Sequence, residues 1–137
     1  MEETKGKSEL EALLVDAEES DIDRALKEIL EGKLALQRGS SRVLPRPALF
    51  ALQIRQRILI LLLARHAMSL LGLTKGVDSA TAESLASEGQ FDVKTAREYL
   101  SRLKATGLIE RTEAGFAIPQ WNLLRAIDEV RVNGGGK

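Results

Sequence analysis

Residues 91–111 constrain the fold more than any other stretch of this 137-residue chain. Asp92 is a favourable helix N-cap, because its carboxylate can accept hydrogen bonds from the free backbone N–H groups of the first turn. Apolar residues then recur at spacings of four and three, which places them on one helical face: Ala96, Leu100 and Leu103. Gly107 tolerates a positive φ and is typical of a residue that ends a helix. The stretch therefore predicts an amphipathic helix.

Short apolar segments on either side of a turn predict a β-hairpin beyond this helix. Residues 108–111 and 116–118 bracket residues 112–115, which include a glycine at the turn. A shorter helix, from Thr81 to about Glu88 and ended by Gly89, is predicted before Asp92. A helix, a tight turn, a second helix and a small hairpin are the elements of a winged helix-turn-helix.

Residues 82–118 resemble the DNA-binding core of small prokaryotic winged helix-turn-helix transcriptional regulators of the MarR and ArsR kind. The resemblance rests on the helix cap, the basic helix, the run of residues 103–111 (LKATGLIER) and the hairpin. It implies DNA binding, usually by a dimer. With the helices before it, the predicted fold is mainly α: a winged helix-turn-helix with a two-stranded β-hairpin wing and an N-terminal helical extension. Winged helices also serve as protein–protein modules, so the fold does not fix the function.

Charge is divided along the chain although the formal net charge is zero. Residues 1–31 hold 11 acidic and 4 basic side chains, and residues 32–75 hold 8 basic and no acidic ones. Local clustering of cations bears more directly on nucleic-acid binding than the total does. The chain has no cysteine, which excludes disulfides and thiolate metal sites and fits a reducing, cytoplasmic location.

The first 39 residues predict an acidic helical extension. Ser8 begins a capping box for a helix over about 9–18, and Ser20 begins a second one. The second helix, with apolar residues from Ile22 to Leu34 on one side, is predicted to end near Gly39. These amphipathic faces could cover the chain's own core, a symmetry mate or another protein.

Residues 40–46 are predicted to be a basic linker, because Gly, Ser and Pro favour irregular or extended backbone. Arg42 and Arg46 could be solvated there, or could lie along DNA phosphates. A winged-helix domain is predicted for 47–132 and a flexible tail for 133–137. Pro47 suits a first helical position, and the pattern predicts an unbroken helix from Ala48 to Leu71.

The run 58–64 of this long helix is entirely apolar. Seven residues are too few to span a membrane, which takes roughly 20. A helix that is apolar all round is buried all round, so the run predicts the central core helix, packed also against a second subunit in a homodimer. Polar residues, including Gln56, are expected to keep its first half solvated. His66 is expected at the surface or as a cap, and Trp121 as a core or interface anchor.

No constellation of catalytic residues is recognisable, since there is no histidine in a nucleophile motif and no glycine pattern for phosphate binding. The sequence therefore predicts a protein that is not an enzyme and that holds no cofactor or metal.

The predicted DNA-binding residues are cations and hydroxyl-bearing residues, the types that contact base edges and phosphates. They are Lys94, Thr95, Arg97, Ser101, Arg102, Arg111, Arg42 and Arg46. Asp92, Glu98 and Glu113 lie among them and weaken the positive charge. Two functions remain open: a dimeric regulator that binds double-stranded DNA, and an interaction module of a transcription, replication or chromosome-segregation assembly whose protein partner binds the N-terminal helices.

Overall fold

The computed structural model describes residues 16–37, 42–71 and 79–134, and within these ranges the protein is mainly helical, as predicted. The helices are α1 (Asp16–Leu30), α2 (Pro47–Phe50), α3 (Ile54–Leu70), α4 (Ala82–Gly89), α5 (Val93–Ala105) and α6 (Leu123–Gly134), with a 3₁₀ helix at Gln120–Asn122. The strands form two antiparallel hairpins: β1 (Leu34–Gln37) with β2 (Arg42–Pro45), and β3 (Glu110–Thr112) with β4 (Gly115–Ala117).

The N-terminal helix differs from its prediction at both ends. α1 runs through Ser20, where the capping pattern predicts a new helix, so the predicted break there is wrong. α1 ends at Leu30, because Gly32 adopts a φ of +85° that a helix cannot accommodate. Leu34 therefore lies in β1 and not on a helical stripe. Residues 1–15, which include the first capping box, lie outside the described residues.

The predicted linker is wrong for residues 42–45, which form β2. Leu36 pairs with Val43 and Gln37 with Arg42 in an antiparallel register. The hairpin is attached to the rest of the protein because Leu34 and Val43 are each 5% exposed and join the hydrophobic core. The pattern was hard to recognise in the sequence because each strand has only four residues.

The long helix predicted from Ala48 to Leu71 is divided into α2 and α3. Pro47 begins α2 as expected, but helical geometry stops after Phe50 and resumes at Ile54. Arg57 stabilises the interruption: its Nε donates to the carbonyl of Leu52 at 2.9 Å, and its Nη2 donates to that of Phe50 at 2.9 Å. These two carbonyls thus gain charge-assisted hydrogen bonds outside a regular helix.

α3 is the centre of the core, and its apolar run is covered within a single chain. All seven residues from Ile58 to Ala64 are 0% exposed, because α1, α4 and α6 each contact α3. The argument for a homodimer from this run therefore fails. Two polar residues expected in solvent are also buried, Gln56 at 1% and His66 at 8% exposure.

The elements predicted for residues 81–118 are present with close to the expected bounds. Thr81 caps α4 by accepting a hydrogen bond from Ser84 N at 3.1 Å, and Asp92 caps α5 by accepting from Lys94 N at 3.1 Å. Gly107 has a φ of +82° just beyond α5, as its predicted role requires. The β3–β4 hairpin then follows.

The last helix packs on α1 and α3 through Ile127 and Val130, but Trp121 and Leu124 do not share that burial. Trp121 is 79% exposed and Leu124 45% exposed, so the expected role of Trp121 in the core of its own chain is wrong. α1 belongs to the same core through Leu26 and Ile29, which means that residues 22–30 cover the chain's own core.

Candidate nucleic-acid interface

Helix α5 presents its polar side outward because its apolar side is fully used in the core. Ala96 and Leu100 are 0% exposed and Leu103 is 2% exposed. The residue that follows each of them is exposed, so Arg97, Ser101 and Lys104 form an exposed row with the same spacing of four and three. This row, extended by one turn towards the N-terminus, consists of Lys94, Arg97, Ser101 and Lys104. Since helical neighbours three and four apart share a face, these four side chains form one polar ridge.

The other predicted residues of α5 lie off this ridge. Arg102 is exposed, but it lies about 140° around the helix from Arg97, given about 3.6 residues per turn. Its guanidinium lies 5.2 Å from the centroid of the Tyr99 ring. Thr95 is half-buried on the same flank. The residues predicted to bind DNA therefore occupy two flanks of α5 and do not form a single cluster.

A groove of about 590 Å³ separates the ridge from the β3–β4 hairpin. Its lining includes the cations Arg97, Lys104 and Arg111 and the carboxylates Glu83 and Glu113. Three cations against two carboxylates leave the groove slightly positive. The structure thus brings together three of the predicted residues, Arg97, Ser101 and Arg111, and adds Lys104, which was not among the predicted residues. The signal for Lys104 was available, because it continues the spacing of Arg97 and Ser101 along the helix.

Arg97 is held by the helix that precedes α5. Its Nη2 lies 2.6 Å from Oε2 of Glu83 in the first turn of α4. Both side chains are more than 60% exposed, at 63% and 62%. Exposed ion pairs of this kind contribute only about 0–1 kcal/mol to stability, so a stronger anion can replace the Glu83 carboxylate at Arg97 at little cost.

The β3–β4 hairpin is fixed to the start of α4. Ala80 and Phe116 exchange two backbone hydrogen bonds, at 2.8 and 2.9 Å. Gly115 permits this approach, because a Cβ at its position would overlap the carbonyl oxygen of Ala80. Arg111 is exposed with its guanidinium 5.6 Å from the Phe116 ring centroid. One wall of the groove is therefore α5. The other is the β3–β4 hairpin, which is held in place by Ala80, just before α4.

The last two predicted DNA-binding residues belong to the other hairpin. Arg46 is exposed directly after β2, and β2 contacts α4. Arg42 pairs with Gln37 in the strand register, but its side chain lies outside the described residues.

A second, apolar groove of about 450 Å³ lies between α1, β1 and the end of α3. Leu26, Leu30, Leu34 and Leu36 line it together with Leu70 and Leu71, which are 53% and 66% exposed. Asp23, Lys27 and Glu31 also line it. Exposed leucines beside a charged margin are typical of a surface that contacts another protein.

Among the described residues, no three His, Asp or Glu side chains come together as possible metal ligands. The same residues include no helix with the length and apolar character needed to cross a membrane. Comparison with known proteins gives no assignment: no protein-family model, curated protein or solved structure matches the chain.

Proposed function

We propose that the protein binds double-stranded DNA through a winged helix-turn-helix formed by α4, α5 and the β3–β4 hairpin, and that it acts as a transcriptional regulator. The observation that carries the proposal is the exposed ridge of α5 beside a groove that holds three cations. In this proposal α5 is the recognition helix and enters the major groove, while the hairpin is the wing and lies over the adjacent backbone.

The ridge offers the chemical groups that such a contact uses. Lys94 and Arg97, in the first half of α5, are placed to meet base edges and phosphates. Arg97 can give up Glu83 for a guanine edge, which accepts two hydrogen bonds from a guanidinium. Lys104 and Arg111, on opposite walls of the groove, would clasp one stretch of phosphate backbone. Arg102, on the far flank, would contact the opposite strand.

A fluorescence anisotropy titration of the full chain with labelled genomic fragments at low salt tests this function. The Arg97→Ala, Arg102→Ala variant should bind more weakly than wild type, by roughly 1–3 kcal/mol for a base contact plus the loss of a phosphate contact. The Arg24→Ala, Lys27→Ala variant removes two exposed cations from α1 and serves as the matched control. If wild type and the recognition-helix variant bind equally well, α5 is not a DNA-binding face.

The proposal includes a homodimer, although not on the grounds that the sequence offered. With residues 58–64 buried in one chain, we place the second copy on Trp121 and Leu124, two of the five exposed large apolar side chains among the described residues; the other three are Leu44, Leu70 and Leu71. Sedimentation equilibrium at micromolar concentration should show a dimer that the Trp121→Ala, Leu124→Ala variant weakens. A monomeric wild-type protein rules the dimer out, and DNA binding would then be that of a single subunit.

A second function, that of an interaction module in a larger assembly, is favoured by the apolar groove beside α1. Leu70 and Leu71 are exposed there, and the groove borders the acidic N-terminal helix. Co-purification from native cells with and without nuclease separates the two functions. A partner that remains after nuclease treatment, and is lost from the Leu70→Gln, Leu71→Gln variant, supports the module. Partners lost only with nuclease support DNA binding.

A further inference from the structure

The β1–β2 hairpin has one face towards the core and one face away from it. Leu34 and Val43 lie on the core face and are buried. Because successive side chains of a strand point to opposite faces, the other face carries Leu44, which is 42% exposed. Lys33 and Arg46 form the next cross-strand pair on that outer face, since Arg46 N donates to Lys33 O at 2.9 Å. We call Lys33, Leu44 and Arg46 the hairpin face.

The hairpin face places two positive charges opposite each other. Lys33 and Arg46 are directly across from each other, and like charges at such positions destabilise an antiparallel pair. Arg42 holds the register position opposite Gln37, two residues further from Arg46 than Leu44 is. Among the described residues, neither Lys33 nor Arg46 forms an ion pair. A polyanion laid across this face would relieve the repulsion.

The other cations of the basic segment 32–75 whose side chains the structure describes form contacts inside the fold. Arg55 pairs with Glu129 at 2.9 Å, and Arg65 pairs with Glu88 at 2.8 Å. The guanidinium of Arg57 donates hydrogen bonds to the backbone carbonyls of Phe50, Leu52 and Gly89. Among the described residues, the excess positive charge of segment 32–75 therefore lies on Lys33 and Arg46. This concentrates the positive charge on the hairpin and not on α3.

Arg57 also sets the hairpin in a defined position relative to the helix-turn-helix. Its guanidinium binds the carbonyl of Phe50, four residues after Arg46, at 2.9 Å. The same guanidinium binds the carbonyl of Gly89, the last residue of α4, at 3.1 Å. β2 contacts α4 as well. The hairpin thus lies beside α4 as a positioned element, whereas the wing is attached at the other end, before α4.

From this placement we infer that the hairpin face is a second contact surface for the phosphate backbone of duplex DNA, outside the contact made by α5 and the wing. The inference rests on the proposed function and enlarges the protein surface that would contact DNA. The extended segment formed by β2 and Arg46 covers roughly 13 Å at about 3.3 Å per residue, which corresponds to about four nucleotides of one DNA strand at 3.4 Å each. Backbone contacts of this kind add affinity without sequence preference.

The test compares full-length wild type with the Lys33→Gln, Arg46→Gln variant on a random-sequence duplex of about 30 base pairs. Each phosphate contact contributes about 0.9 to the slope of log affinity against log salt. The variant should therefore lose about 1.8 from the slope, so that its affinity deficit relative to wild type narrows about twelvefold between 50 mM and 200 mM salt.

Two further variants separate the outcomes. Arg24→Gln, Lys27→Gln removes the same charge from α1 and should leave the slope unchanged, and Arg46→Lys should retain wild-type binding because a phosphate contact needs only the charge. If the hairpin variant keeps the wild-type slope while Arg97→Ala, Lys104→Ala loses affinity, the hairpin inference is wrong and the proposed function stands. If neither variant loses affinity, both fail. Binding is measured at a temperature at which circular dichroism shows every variant folded.

Discussion

Arg97 on α5 and Glu83 in the first turn of α4 join these two helices, with 2.6 Å between guanidinium and carboxylate. The pair has two consequences. It gives the two helices a polar contact beside their apolar one, and it places a carboxylate next to the cation that the proposed function assigns to a base edge. In the DNA complex that we propose, the carboxylate would face the phosphates as a like charge, so Glu83 would limit DNA affinity while it orients Arg97.

Replacing Glu83 by Gln should therefore raise DNA affinity several-fold at low salt, because it removes a negative charge beside Arg97. The melting temperature should change little, since the pair is exposed and such pairs contribute about 0–1 kcal/mol. Glu28→Gln is the matched control, because Glu28 pairs with Arg131 at 3.2 Å with similar exposure on α1. Unchanged binding by Glu83→Gln, measured by anisotropy, would mean that Arg97 does not contact DNA.

Lys104 provides a test of the groove that does not involve Arg97. Lys104→Ala should weaken binding to all DNA sequences alike and lower the salt slope by about 0.9, as the loss of one phosphate contact does. Lys27→Ala, which removes an exposed lysine from α1, should leave the slope as it is. A Lys104→Ala effect limited to one DNA sequence would instead assign this residue to a base edge.

Local signals in residues 81–118 were sufficient to predict the structure there. Asp92, Gly107 and the three buried residues of α5 act through hydrogen bonds and spacing within a few residues of one another. Of the eight predicted DNA-binding residues, the groove contains Arg97, Ser101 and Arg111. Lys104 could have been included by its spacing from Arg97 and Ser101.

The N-terminal half depended largely on contacts distant in sequence, although Gly32 was a local signal for the end of α1. Whether Leu34 continues a helix or begins a strand is decided by its pairing with Pro45. The break between α2 and α3 is held by Arg57, whose third partner, Gly89, lies 32 positions away. The burial of the run 58–64 likewise depends on α1 and α6, from opposite ends of the chain. An entirely apolar helix in the sequence does not show whether other helices of the same chain or a second subunit will bury it.

Gly115 should be far less tolerant of substitution than Gly107. Both have positive φ, 137° and 82°, so alanine is strained at each, but only at Gly115 would the new Cβ overlap the carbonyl of Ala80. Gly107→Ala is expected to cost about 1 kcal/mol of unfolding free energy, and Gly115→Ala distinctly more, because Ala80 and Phe116 must also separate. Urea denaturation measures both. Equal costs would show that the hairpin moves away from α4 without penalty.

Asn122 connects the residues just after α5 to α6, and its loss should destabilise the fold without abolishing the proposed DNA binding. Asn122 is 8% exposed, and its Nδ2 donates to the carbonyls of Gly107 and Leu108 at 2.7 and 3.2 Å. Asn122→Ala leaves these acceptors without their donor inside the protein, which costs about 1–3 kcal/mol. Gln120→Ala, an exposed neighbour in the same 3₁₀ helix, should be close to neutral.

Urea denaturation gives the free energies of unfolding of both variants. Anisotropy below the unfolding transition should show near wild-type DNA affinity for Asn122→Ala, because no residue of the ridge is altered. A folded Asn122→Ala protein that fails to bind DNA would instead show that this connection sets the angle between α5 and the β3–β4 hairpin.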